Sequence, residues 1–103
     1  METIDDYSSR VLDLVDAIPA GQVMSYGDIA EYLGEGGPRQ VGRVLARYGG
    51  AASWWRVIHA DGTPAPGHEA VALEHYRAEG TPLRSAASPV RVDIRRARWR
   101  GTT

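Results

Sequence analysis

The sequence predicts a mainly α domain with small β elements, built on a helix-turn-helix with a wing. Three observations predict it. The stretches Tyr26–Leu33 and Pro38–Tyr48 each carry apolar residues at helical spacing. The glycine-rich turn Gly34-Glu35-Gly36-Gly37 joins them. Further on, the apolar pair Val57-Ile58 runs into His59-Ala60-Asp61-Gly62, where Asp-Gly marks the tight turn of a small wing hairpin.

Each element follows from local chemistry. Asp5 to Ala17 reads as a helix because Tyr7, Val11, Leu14, Val15 and Ile18 recur on one face and acids crowd the first turn. Pro19-Ala20-Gly21 ends it, and Gln22-Val23-Met24 is short and extended. Ser25 is a natural N-cap, with Asp28 three positions on. The helix it opens turns Ile29, Ala30 and Leu33 inward. Pro38 suits the first position of the next helix, which buries Val41, Val44 and Leu45 and stops at Gly49-Gly50. Ser53 to His59 reads as a strand that sends Trp54 and Trp55 to opposite faces, one buried and one lining a cavity. Thr63-Pro64-Ala65-Pro66-Gly67 is a loop. Glu69 to Glu79 is a helix with Val71, Leu73 and Tyr76 as its apolar side and Gly80 as its stop. Thr81 to Pro89 is irregular, and Val90 to Ile94 alternates like an edge strand. The tail Arg95-Arg96-Ala97-Arg98-Trp99-Arg100 is either disordered or laid along a phosphate backbone.

With 103 residues the chain suits a single domain, with a core over about 5–83 and a basic extension over 84–103. No apolar run is long enough to span a bilayer, and the acidic N-terminus is unlike a signal peptide, so a cytoplasmic protein is expected, nucleoid-associated if bacterial. The chain has no Cys, which excludes disulfides, thiolate metal sites and a cysteine nucleophile. His59, His68 and His75 lack a metal-ligand spacing, and no phosphate-cradling glycine loop is present. Neither metal nor cofactor is expected.

Charge is lopsided although the net is −1. Residues 1–37 carry a net of −7, 38–56 a net of +4, 57–90 a net of −2 and 91–103 a net of +4. Two basic blocks in an acidic chain are the footprint of a polyanion-binding face. Arg39, Arg43 and Arg47 fall at i, i+4 and i+8 and share one face of the second helix, the pattern of a recognition helix presented to DNA.

Together these pieces resemble a known family. Ile18-Pro19-Ala20-Gly21-Gln22-Val23-Met24-Ser25-Tyr26-Gly27-Asp28-Ile29-Ala30 resembles the start of the DNA-binding domain of the alkylguanine-DNA alkyltransferases. Pro38-Arg39-Gln40-Val41-Gly42 is similar to that family's Arg-x-Val-Gly recognition-helix motif. Ser53-Trp54-Trp55-Arg56-Val57-Ile58 sits where the family has Pro-Cys-His-Arg-Val-Ile, and Glu79-Gly80 matches its closing Glu-Gly. Trp54 thus replaces the acceptor Cys, the hallmark of the alkyltransferase-like proteins, which bind alkylated guanine in DNA and do not repair it.

The resemblance implies roles. Tyr26 matches the Tyr that pushes at the phosphate beside a flipped nucleotide, and Arg39 matches the Arg that fills the gap in the base stack. Ser25, Arg43 and Arg47 are the further expected DNA contacts. Trp54, Tyr26, Arg56, Val57 and His68 are expected to line the lesion pocket. Trp55 replaces the His of the thiolate relay and is expected to pack, Tyr48 stands where the family has a bracing Asn, and Glu79 is expected to be a structural remnant. The implied function is recognition of O(6)-alkylguanine in double-stranded DNA by nucleotide flipping, by a monomer and without alkyl transfer, the lesion being flagged to nucleotide excision repair proteins. The alternative is a winged-helix, sequence-specific transcriptional regulator. An active alkyltransferase conflicts with the missing nucleophile.

Overall fold

The computed structural model describes residues 4–101. Helix α1 (Asp6–Ala17) opens at Asp5, whose carboxylate accepts from the Ser8 N–H (2.8 Å). The two-residue strand β1 (Met24–Ser25) leads into α2 (Tyr26–Leu33). The predicted cap is present and reciprocal: Ser25 Oγ accepts from the Asp28 N–H (2.9 Å), and Asp28 accepts from the Ser25 N–H (3.0 Å). Gly34 ends α2 with a left-handed φ of 69°. Helix α3 (Pro38–Tyr48) begins with Gln40 Oε1 accepting from the Gly37 N–H (2.9 Å). Val11, Val15 and Ile18 of the α1 segment, Ile29 of α2 and Val41 of α3 are all fully buried in one cluster, so the three helices form a tripod with Met24 and Val57 beneath. Leu33 and Leu45, expected inside, pack against this cluster half-buried.

The second half differs from expectation in several places. Ser53–His59 is not one strand. Trp54–Arg56 winds into a 3-10 turn, closed by the Arg56 N–H on Ser53 O (3.0 Å), and extended backbone starts at β2 (Val57–Ile58). Both Trp side chains are therefore half-buried instead of one being buried. Strand β2 pairs in parallel with β1, Met24 against Val57 and Ser25 against Ile58. The tight turn at Asp61-Gly62 forms, with the Gly62 N–H on His59 O (2.9 Å). The two-stranded antiparallel hairpin, however, lies further on: β3 (Leu83–Ser85) forms where an irregular segment was expected, and it pairs with β4 (Arg91–Val92), which lies within the expected edge strand. Gly62 docks on that hairpin. Its φ is +90°, and a Cβ there would lie 2.6 Å from Val92 O.

Helix α4 (Glu69–Glu79) buries Tyr76, with Leu73 packed beside it, as expected, but Val71 is 46% exposed and Ala72 takes the inward place instead. The tail is ordered. Ile94 opens a short helix α5 (Ile94–Ala97) instead of ending a strand, and the Trp99 N–H donates to Val23 O (2.8 Å). Val90, Val92 and Ala97 join Val23, Ile58, Ala72 and Tyr76 in a second buried cluster. Among the described residues no helix is long and apolar enough to cross a membrane.

Candidate nucleic-acid interface

A cleft of about 740 Å³ opens beside α3. One wall is the α3 face that carries Arg39, Gly42, Leu45 and Ala46, and the opposite wall is the loop with Ala65, Pro66 and His68. Small residues make the room. A Cβ added at Gly42 would meet nothing within 4 Å. Trp54 lines the cleft, with its ring centroid 5.5 Å from His68, 6.3 Å from His75 and 5.8 Å from Trp55. Tyr26, at the start of α2, lines it too. Its ring leans on His59 at 4.8 Å, and burial pushes its phenol pKa up. The phenol therefore stays a neutral O–H donor, which an anion accepts and a phenolate would repel.

Helix starts converge on this face. Tyr26 is the first residue of α2, and Arg39 is the second of α3. Unsatisfied N–H groups and the positive ends of both helix dipoles lie at such starts. Arg39, Arg43 and Arg47 are all exposed on α3. Arg39 alone of the three lines the cleft. Arg47 lies over the Tyr48 ring (5.3 Å), and Tyr48 packs against the first core cluster.

The remaining expected site residues are deployed otherwise. Ser25 is buried, and its hydroxyl caps α2. Val57 is fully buried in the first core, beneath the cleft instead of lining it. Arg56 turns away, giving Nε (3.1 Å) and Nη2 (2.5 Å) to Glu79 Oε1 and Nη1 to Ile18 O (2.9 Å). Glu79 also accepts from Trp55 Nε1 (2.9 Å) and the Gly21 N–H (3.0 Å). Burial alone would push its carboxyl pKa up. The Arg56 guanidinium and the Gly21 and Trp55 donors outweigh that and hold it below the usual range. This clasp fixes the Trp54–Arg56 turn against α4, and Tyr76 Oη adds a bond to Trp55 O (2.6 Å). Trp55 stacks on His75 at 3.6 Å and 5°, in the packing role expected of it. His59 is a cleft residue that sequence reasoning missed, because nothing local says that a turn 33 residues beyond Tyr26 folds back onto it. Among the described residues no His, Asp or Glu group has the arrangement of a metal site.

Comparison with known proteins fits this geometry. The family model described as the DNA-binding domain of 6-O-methylguanine DNA methyltransferase matches residues 6–81. A curated relative, the DNA base-flipping protein of Escherichia coli K12, is 36% identical over 96% of this chain and 78% of its own length. Alkyltransferase-like protein 1 of Schizosaccharomyces pombe is 38% identical over 58% of each chain. The crystal structure of S. pombe Atl1 in complex with damaged DNA containing O6-carboxymethylguanine superposes with a TM-score of 0.80 at 27% identity, covering 97% of this chain and all of that one. With a family model spanning most of its length, this chain belongs to the family of the 6-O-methylguanine DNA methyltransferase DNA-binding domain.

Proposed function

We propose that this protein recognises O(6)-alkylated guanine in duplex DNA by turning the nucleotide out of the helix into the Trp54 cleft, and leaves the alkyl group in place. One observation carries the reading: in a chain without Cys, an indole lines the cleft beside Arg39 and Tyr26. The names of the E. coli and S. pombe relatives, and the damaged DNA bound to Atl1, support it.

The physics is consistent with these parts. Flipping a base costs a few kcal/mol, and less when damage has weakened its pairing. Arg39, exposed at the start of the basic helix, fills the vacated stack and offsets part of that cost. The neutral Tyr26 phenol and the N-terminus of α2 meet the phosphate beside the flipped nucleotide. The indole, Leu45, Ala46 and Pro66 give an alkyl group an apolar surface. A carbon-linked indole is no nucleophile, so binding ends without transfer. The bound lesion is then handed to nucleotide excision repair.

The test is a titration of two short duplexes at one salt concentration, identical except for one O(6)-methylguanine. Tighter binding to the methylated duplex is expected, with the methyl group still on the DNA afterwards by mass spectrometry. Equal affinity for both duplexes would overturn lesion recognition, and methyl found on the protein would overturn its non-enzymatic character.

A further inference from the structure

A second cleft, of about 550 Å³, lies on the other side of the turn that carries His59. His59 lines the Trp54 cleft, while its neighbours Ala60 and Asp61 line the second one. The opposite wall is β4 and α5. Four guanidiniums, Arg84, Arg91, Arg95 and Arg98, line it against the two carboxylates Asp61 and Asp93. Asp61 is engaged locally, accepting from the Thr63 N–H (3.0 Å) and Thr63 Oγ1 (2.7 Å). Arg98 binds Asp28 (3.1 Å), which ties this cleft to the first turn of α2, where Tyr26 begins. Arg84, Arg91 and Arg95 make no ion pair among the described residues. Arg91 Nε is buried without a hydrogen-bond partner there. Guanidiniums without a carboxylate partner beside an open cleft are donors for an incoming anion.

We propose that the cleft between the His59–Gly62 turn and the β4–α5 segment is a second phosphate-binding subsite, with Arg84, Arg91 and Arg95 holding a backbone phosphate of the DNA that enters the Trp54 cleft. The assignment rests on the DNA-binding reading above. Its location suits that ligand. One turn separates the two clefts, with His59 in the first and Ala60 and Asp61 in the second, and Arg98 of the second is paired with Asp28 in the first turn of α2. The planar fork of Arg matches phosphate oxygens in pairs. Such a contact carries no sequence or lesion information, so it raises affinity for every duplex alike.

The experiment compares the intact protein with Arg91→Gln, with Arg84→Gln/Arg95→Gln and, as a charge control outside both clefts, with Arg77→Gln. Affinity for methylated and unmodified duplexes is measured across a range of salt. Each lost phosphate contact lowers the slope of log K against log salt by about 0.9. The Arg91→Gln and double variants are expected to show that fall equally on both duplexes, leaving their affinity ratio unchanged, while Arg77→Gln keeps the parental slope. The double variant alters two exposed side chains, so it stays informative if Arg91→Gln folds poorly. Unchanged slopes, or an equal fall for Arg77→Gln, would overturn the subsite. Inorganic phosphate titrated into the free protein distinguishes sources. Arg side-chain NMR shifts in the cleft with unchanged DNA slopes would assign it to a free anion and overturn the DNA role. Equal affinity of the intact protein for both duplexes, with the slopes still falling in the variants, would sink lesion recognition alone.

Discussion

Glu79 and Arg39 mark the two kinds of work that single residues do in this chain. Glu79 is a hub: one half-buried carboxylate binds Arg56, the Trp55 indole and the Gly21 backbone, joining three segments distant in sequence. Its side chain is 12% exposed and that of Arg56 16%. Removing one partner from such a pair leaves the other charge uncompensated, so Glu79→Gln is expected to cost about 2–3 kcal/mol at neutral pH. For a domain of this size that lowers the melting temperature by roughly 10–20 °C. The pH dependence has a definite sign. The folded carboxyl titrates below its usual range, so its contribution is full above the unfolded value of about 4.3. It is lost as pH falls through the folded value. Urea midpoints of parent and variant should therefore converge in acid, and a gap constant with pH would refute the clasp. The role proposed for Arg39 is on DNA instead. Arg39→Ala is expected to weaken binding to a methylated duplex about tenfold, roughly 1.4 kcal/mol, and to weaken it more than Arg43→Ala does. Equal losses would reduce Arg39 to one more phosphate contact.

At the scale of elements, the sequence was most legible where structure is local. The α1, α2, α3 and α4 boundaries follow from caps, Pro38 and glycine stops, and the reciprocal Ser25–Asp28 cap forms as its spacing implies. Legibility ended where distant segments decide the outcome. Trp54–Arg56 has strand composition, yet the bonds from Trp55 and Arg56 to Glu79 pull the backbone into a 3-10 turn. Strand β2 pairs with β1 across 33 residues, and no periodicity in either two-residue strand announces that partner. Helix α4 has too few large apolar residues for a clear face, so Ala72 beneath Tyr76 could not be told from Val71. The same distinction divides the candidate site. Tyr26, Arg39 and Trp54 were found through motif order and His68 from the loop expected to wall the pocket, and all four line one cleft. His59 reaches it through tertiary folding, while Arg56 and Val57 follow Trp54 directly in sequence and point elsewhere.

The whole molecule is two buried clusters closed by its own C-terminal segment. The first joins α1, α2 and α3, and the second joins α4 to the β3–β4 hairpin and α5. Adjacent residues of one strand approach divide between them, Val23 in the second and Met24 in the first. The tail repeats that division in reverse: Ala97 lies in the second cluster, while Trp99 packs on the first and bonds Val23 O at 2.8 Å. Arg98 between them binds Asp28 of α2. The basic end of the chain is thus a strap across both cores, and its charge is presented from a folded platform. Ending the chain after Ala97 removes the Trp99 packing, the backbone bonds from Arg98 to Ile94 and from Trp99 to Val23, and the Arg98 pair, an expected loss of about 2–3 kcal/mol from apolar burial and hydrogen bonding together. Trp99→Ala should account for most of it, since the Arg98 side chain is 35% exposed, in contact with solvent, and single pairs at the surface contribute little. Urea unfolding followed by far-UV circular dichroism measures both variants. A midpoint unchanged by the truncation would mean that the strap is a passive extension; a midpoint lowered equally by truncation and by Trp99→Ala would establish the indole as the clasp that joins the two cores.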